Sequence, residues 1–403
     1  MTLTEDRASA AAGDSAVELP ARAAELLDLL RSNAKRAEAE RRVPEENIQA
    51  IADAGLFRIA TPQRLGGYQA DFRTFMSVSS TLGQACGSTA WATTLINVCG
   101  WLLGVYPEQA QRDVLEADPD ARICGVVAPS STTSAVDGGL VVTGQWGFAS
   151  GCLHSQWAML GVPVVNESGE QIDQGLALIP MSDLTIKDTW YVAGMRGTGS
   201  NTLVAQDVFV PSHRILSVTK AIGGQYATEH TDEALYRSAF VPVLSLVLVG
   251  PQLGLAKGAL QDVKASLAKG KGISYTFYDK ATDAGSTQIN FAEAAALVDT
   301  AELHAFRAAD DIDRAARSGE YMDTLNRARV RMDVGVVARR AREAMDLLLS
   351  VQGAGSFAEF NPLQIKWRDL ETGSRHAIVN PAIASEAYGR ALLGVEEQVT
   401  PLI

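Results

Sequence analysis

The chain has 403 residues, 47% of them apolar and 20% charged, with a mean hydropathy of +0.03 and a formal net charge of −12. That length exceeds one small core and suits two or three packed domains. An acidic chain without a Lys/Arg block excludes nucleic acid and an anionic membrane surface as partners, since both need clustered cations.

Residues 1–18 are Ala/Ser/Thr-rich and aperiodic, and are expected to be a disordered tail. They lack the basic and apolar regions of a signal peptide, so a cytoplasmic protein is expected. Residues 19–120 read as an N-terminal helical domain. PEENIQAIADAGLF begins a Pro-initiated helix that Gly55 stops, and further helices are expected over 72–85 and 90–105. At Ala121 the character changes to β-branched runs broken by Gly, Pro and Asp. ICGVVAP, GLVVTGQWGFAS, WAMLGVPVV, GLALIPM, LTIKDTWYV and NTLVAQDVFVP read as strands of one β domain over 121–232.

Helices return over 233–403. The apolar stretch 240–250 is too short to span a bilayer and is expected to be a buried helix. Residues 288–316 read as a long helix. Val334, Val337, Ala338, Ala341, Met345 and Leu348 recur at steps of three and four and predict one buried stripe. Asn380-Pro381 starts a last helix and Gly394 ends it.

Common catalytic signatures are absent: there is no G-x-S-x-G, no H-E-x-x-H and no Walker loop. Gly353 to Ala358 fits G-x-G-x-x-A but follows a helix, which argues against a dinucleotide site. The four cysteines (Cys86, Cys99, Cys124, Cys152) form no CxxC pair, and the five histidines are scattered, so no metal site is expected. These patterns define an α+β protein of enzyme size.

Four segments carry a resemblance: AGLFRIATPQRLGG leading to QACGSTAW; TGQWGFASGCLHSQW; GMRGTGSNTLVAQDVFVP; and NPLQIKWRDLETGSRH followed by EAYGRALLG. In this order they resemble the acyl-CoA dehydrogenase superfamily. More closely, they resemble its two-component flavin-dependent monooxygenase branch, which includes hydroxyphenylacetate, steroid-phenol and polyketide-tailoring hydroxylases and aminosugar N-oxygenases. The resemblance implies an N-terminal helical domain, a central β-barrel domain and a C-terminal four-helix bundle. It also implies reduced FMN or FAD supplied by a separate NAD(P)H:flavin reductase, O2 as co-substrate, a C4a-hydroperoxyflavin, and a homotetramer or dimer.

By the same resemblance His376 and Ser150 are the catalytic pair, with Ser150 near flavin N5. A plain turn residue beside Gly151 is the alternative reading of Ser150. Trp146 and Phe148 are expected to wall the flavin or to pack in a core. Ser88 and Thr89 are expected at the flavin or as helix caps. Arg196, Thr198 and Ser200 are expected to cradle a flavin phosphate, to line the entrance, or to form a structural turn. The expected substrate pocket holds Asn97, Cys99, Trp101 and Glu359, with core packing as the alternative for Asn97 and Trp101. Cys99 or a neighbour stands where phenol hydroxylases of the branch often carry a histidine, which leaves room for a larger polycyclic substrate or oxidation at nitrogen.

His376, in the Ser374-Arg375-His376 run, favours the oxygenase branch, because imidazole titrates near neutral pH. One rival is an acyl-CoA dehydrogenase with Glu359 as base. The other is a flavin carrier without turnover. Antibiotic biosynthesis or aromatic catabolism is the expected setting.

Overall fold

The computed structural model describes residues 16–403. The expected tail therefore lies largely outside the described residues, and its last three, Ala16–Glu18, form a single 3-10 turn. The N-terminal domain comprises α1 (Leu19–Glu25), α2 (Leu27–Glu40), α3 (Glu45–Asp53), α4 (Phe72–Ala85), α5 (Gly87–Gly104) and α6 (Glu108–Leu115). Pro44 caps α3 instead of opening it, and Gly55 turns the chain at φ +75°. Helix α5 is buried nearly all round, as expected of a helix enclosed by protein.

Eight strands follow: β1 (Ile123–Val126), β2 (Ser131–Val136), β3 (Gly139–Trp146), β4 (Trp157–Val165), β5 (Gln171–Pro180), β6 (Thr185–Lys187), β7 (Thr202–Pro211) and β8 (Ile215–Ser217). Their hydrogen bonds do not close into the expected barrel. They form two four-stranded sheets, ordered β1-β4-β5-β8 and β2-β3-β7-β6. Strand alternation turns Leu140, Val142 and Trp146 of one sheet and Ala158, Leu160 and Val162 of the other into a shared core.

After α7 (Val218–Ile222), the apolar stretch forms α8 (Phe240–Leu246) and continues through a 3-10 turn into α9 (Gly250–Leu267). Helix α9 packs with α10 (Gly285–Ser318), α11 (Thr324–Gln352) and, through α11, α13 (Pro381–Leu392). A shorter α12 (Pro362–Gly373) leads toward the β domain. The predicted stripe on α11 is wholly buried, and the Asn380 side chain caps α13 by accepting from Ala382 N at 3.0 Å.

Glycines let α9 join the N-terminal domain. Gly250, Gly254 and Gly258 recur one turn apart and face α4, where a Cβ on Gly254 would lie 2.3 Å from the Ser80 carbonyl. The helices therefore touch backbone to backbone, which explains why the most apolar segment of the chain lies inside the protein. Gly254→Ala should separate the pair and cost about 1–3 kcal/mol. The expected readout is a lower denaturant midpoint, and an unchanged midpoint would contradict this close approach.

Candidate functional site

The strand β3 ends in the turn Gly147-Phe-Ala-Ser-Gly151. Two left-handed residues bracket Ser150: Phe148 at φ 62° and Gly151 at φ 80°. Glycine adopts this freely, but in Phe148 it costs roughly 1–3 kcal/mol. The strained Phe148 is also 75% exposed, with its ring edge-on to Trp190 at 5.5 Å.

Ser150 Oγ accepts a hydrogen bond from Trp91 Nε1 at 3.2 Å. The Trp91 ring stands 6.2 Å from the His376 ring, centroid to centroid. One indole, held on α5, thus joins the β-domain serine to the histidine that follows α12. His376 is open to solvent, yet burial lowers its pKa below the usual imidazole value. Its Nδ1 accepts from Ile378 N at 3.4 Å, so neutral His376 carries its proton on Nε2 and presents a donor there.

Beneath Ser150, the loop 194–200 turns its hydroxyls inward. Ser150 and Ser200 Oγ are 2.7 Å apart, Ser200 Oγ and Thr198 Oγ1 are 2.6 Å apart, and Thr198 donates to the Met195 carbonyl at 2.8 Å. Thr198 and Ser200 are buried, so the open phosphate cradle expected of them is not formed. Arg196 is half-buried and donates to the Glu38 and Val192 carbonyls. It lines a surface groove of ≈ 680 Å³ with Lys35, Glu38, Ala39, Glu359 and Phe360.

Asp369 anchors this loop. Its carboxylate accepts from Met195 N at 2.5 Å and from Ser88 Oγ at 3.4 Å. Complete burial pushes its pKa up to about 7.

Several expected site residues belong elsewhere. Trp146 is fully buried in the β core and donates to the Gly161 carbonyl at 2.8 Å, because its register points it between the sheets. Thr89 is turned into the helical domain, where its hydroxyl meets Cys86 Sγ at 3.2 Å. Ser88 reaches Asp369, and neither residue caps α5, whose N-cap is Cys86.

Asn97 spends its amide on the chain itself. It donates to the Leu56 and Thr93 carbonyls and accepts from Ile59 N, clamping the turn after α3. Trp101 is core, donating to the Leu235 carbonyl at 3.0 Å amid Phe72, Tyr226 and Phe240. Cys99 is buried, and that burial pushes its thiol up to about 12. Glu359 is exposed in the groove, whose lining includes neither Trp91, Ser150 nor His376. Among the described residues, no three His, Cys, Asp or Glu side chains gather as a metal site.

The residues missed in the sequence were Trp91, present in the GSTAW motif, and Asp369, present in the Arg-Asp pair. Both motifs were visible, but neither side chain was singled out.

Comparison with known proteins fits this architecture. Residues 23–115 match "Acyl-CoA dehydrogenase, N-terminal domain" and residues 246–381 match "Acyl-CoA dehydrogenase, C-terminal domain". The chain belongs to the acyl-CoA dehydrogenase family. Its relatives within that family include the flavin-dependent monooxygenase oxygenase subunit HsaA of Rhodococcus jostii, 37% identical over 92% of this chain and 97% of that protein. Another is the oxygenase component of the FADH2-dependent resorcinol hydroxylase of a Rhizobium, 33% identical over 94% and 95%. The structure of XiaF from Streptomyces in complex with FADH2 and glycerol superimposes with a TM-score of 0.90 at 32% identity, covering 96% and 97%.

The elevated Asp369 pKa has a sign. Its folded-state value, about 7, lies above the ordinary 3.8, so the ionised form is disfavoured by folding. Stability should fall as pH rises from about 4 to about 7. Asp369→Asn keeps an oxygen for Met195 N and cannot ionise. The expected result is a flatter melting temperature across this range than in wild type, and parallel profiles would contradict the assignment.

Proposed function

We propose that this chain is the oxygenase component of a two-component monooxygenase that hydroxylates an electron-rich, phenol-type aromatic substrate. The observation that carries the proposal is the single indole of Trp91, which donates to Ser150 at 3.2 Å and stands 6.2 Å, ring to ring, from His376. The donor set suits a reduced flavin. It offers a nearly buried hydroxyl oxygen with a lone pair to spare, an aromatic wall and a neutral N–H donor. Reduced FMN or FAD, with O2, supplies the oxygen atom that is inserted.

The protein's own groups do the rest. Ser150 holds the ring edge. Trp91 and the enclosing helices keep water from the reaction. His376 Nε2–H would hydrogen-bond an oxygen of the substrate beside the flavin. The exposed Glu359 lacks the desolvated placement of an α-proton base, so nothing in its surroundings favours the dehydrogenase reading.

The names of the relatives support a separate flavin reductase as partner. We further propose a homotetramer, or a dimer, working in the cytoplasm in natural-product tailoring or aromatic catabolism. The fully exposed Tyr275 and Phe277 offer the apolar surface that a second copy would cover.

The test mixes the protein anaerobically with reduced FMN or FAD and a panel of phenols, then admits 18O2. Wild type should yield product carrying 18O. His376→Ala should still oxidise reduced flavin but release peroxide, with product falling by on the order of 10²-fold. Failure of every phenol to gain 18O would defeat the proposal.

A further inference from the structure

We infer that a one-way relay of hydroxyls makes Ser150 a hydrogen-bond acceptor and so makes the site select reduced over oxidised flavin, with Ser200 and Thr198 as its positioning residues. This rests on the reading that Ser150 faces the flavin N5 position.

The direction of the relay follows from counting hydrogens. Three oxygen–oxygen contacts run in series: Ser150 to Ser200, Ser200 to Thr198, and Thr198 to the Met195 carbonyl. Each contact requires one hydrogen, and the three hydroxyls carry one each. A carbonyl only accepts, so Thr198 must donate to Met195. Thr198 has then spent its hydrogen and must accept from Ser200. Ser200, spent in turn, must accept from Ser150. No other assignment satisfies all three contacts.

At the upper end, the indole N–H of Trp91 only donates, and it fills one lone pair of Ser150. Ser150 is left with one lone pair and no free hydrogen. The relay is also enclosed: Ser200 and Thr198 are each 2% exposed, so water does not readily compete for their hydrogens. Met195, the fixed end, is held in a left-handed conformation at φ 56° and tied through its amide to Asp369.

The two redox states of a flavin differ at this position. Reduced flavin carries N5–H and donates; oxidised flavin has a bare N5 and accepts. An acceptor at Ser150 satisfies the first and opposes its lone pair to the second. For an oxygenase fed by a separate reductase, this sets an order: reduced flavin is captured and oxidised flavin is released.

Thr198→Val is the informative change, because it is nearly isosteric and lies two hydroxyls away from Ser150. It frees the Ser200 hydrogen to turn toward Ser150, which frees the Ser150 hydrogen to donate into the cleft. The polarity at N5 is thereby reversed. Ser200→Ala frees the Ser150 hydrogen directly, and Thr198→Ser restores the relay.

The measurement is the dissociation constant of FMN and of dithionite-reduced FMN under anaerobic conditions, together with the midpoint potential of the bound flavin. Thr198→Val and Ser200→Ala should each reduce the preference for reduced FMN by about tenfold, the scale of one hydrogen bond. For a two-electron couple, tenfold corresponds to a potential about 30 mV lower. Thr198→Ser should recover the wild-type ratio. Reduced 5-deaza-FMN, which has carbon in place of N5, should show no such dependence on either variant.

If Ser150→Ala weakens reduced FMN while Thr198→Val and Ser200→Ala leave the ratio unchanged, the relay is refuted and the flavin reading stands. If Ser150→Ala changes the binding of neither form, Ser150 does not face N5 and both fall.

Discussion

The site depends on one buried carboxylate. Asp369, near the end of α12, accepts the Met195 amide of the β domain and the Ser88 hydroxyl at the start of α5, so all three domains meet on its two oxygens. Such a group is costly to enclose, and desolvation raises its pKa toward neutrality. Three contacts oppose this: the Met195 amide and the Ser88 hydroxyl donate to the carboxylate, and the Arg368 charge lies close by. The neighbouring Arg368 reaches the Ala193 carbonyl and pairs with Glu38 of α2, which fastens the same loop a second time. Met195 is therefore fixed before any side chain above it is placed, and the hydroxyl series that ends on its carbonyl inherits that rigidity.

Trp91 is held by the same arrangement. A Cβ on Gly373 would lie 3.3 Å from the Trp91 ring and 3.0 Å from Met195 Cε. The chain can leave α12 and pass over the indole only because nothing projects there. His376 follows three residues later and comes to rest beside the ring. Its position relative to Ser150 thus comes from a close backbone approach at a glycine, with the indole as spacer. The strain at Phe148 fits this scheme. A residue held in an unfavourable conformation and left largely exposed does little for stability, and its conformation is part of how the turn presents Ser150.

Much of the fold was legible in the sequence because it follows local periodicity. The α11 stripe, the 72–85 helix and the central strands with β-branched runs all appear where their patterns put them. Strand β2 was missed because Ser-Thr-Thr-Ser-Ala-Val is polar and half-exposed, an edge pattern that resembles a loop. The barrel expectation failed because ladder closure is a long-range property that no strand pattern encodes. Motif resemblance put forward Ser150 and His376 for the site but could not separate packing from contact. Trp146, Trp101 and Asn97 carry functional-looking groups, yet tertiary structure spends every one of those groups on a carbonyl or amide of the protein itself. The hydroxyl series was out of reach for the same reason: Ser150 lies fifty residues before Ser200 in the chain, and the direction of the series depends on a carbonyl that sequence cannot locate.

The proposed site groups share one property: Ser150 and Trp91 are uncharged, and burial lowers the pKa of His376, which favours its uncharged form. The nearest carboxylate in the network, Asp369, lies behind them and is shielded by its own contacts. A dehydrogenase needs an anionic base aimed at a carbon acid, and the exposed Glu359 is not so aimed. Oxygen insertion has the opposite requirement, since a fixed charge beside the reacting oxygen would recruit water and protons and divert it to peroxide. A neutral wall of one indole, one imidazole and one hydroxyl whose hydrogen is already committed meets that requirement. On the proposed function, the choice between two chemistries of one fold would lie in the charge state of these groups and in the direction of a few hydrogen bonds.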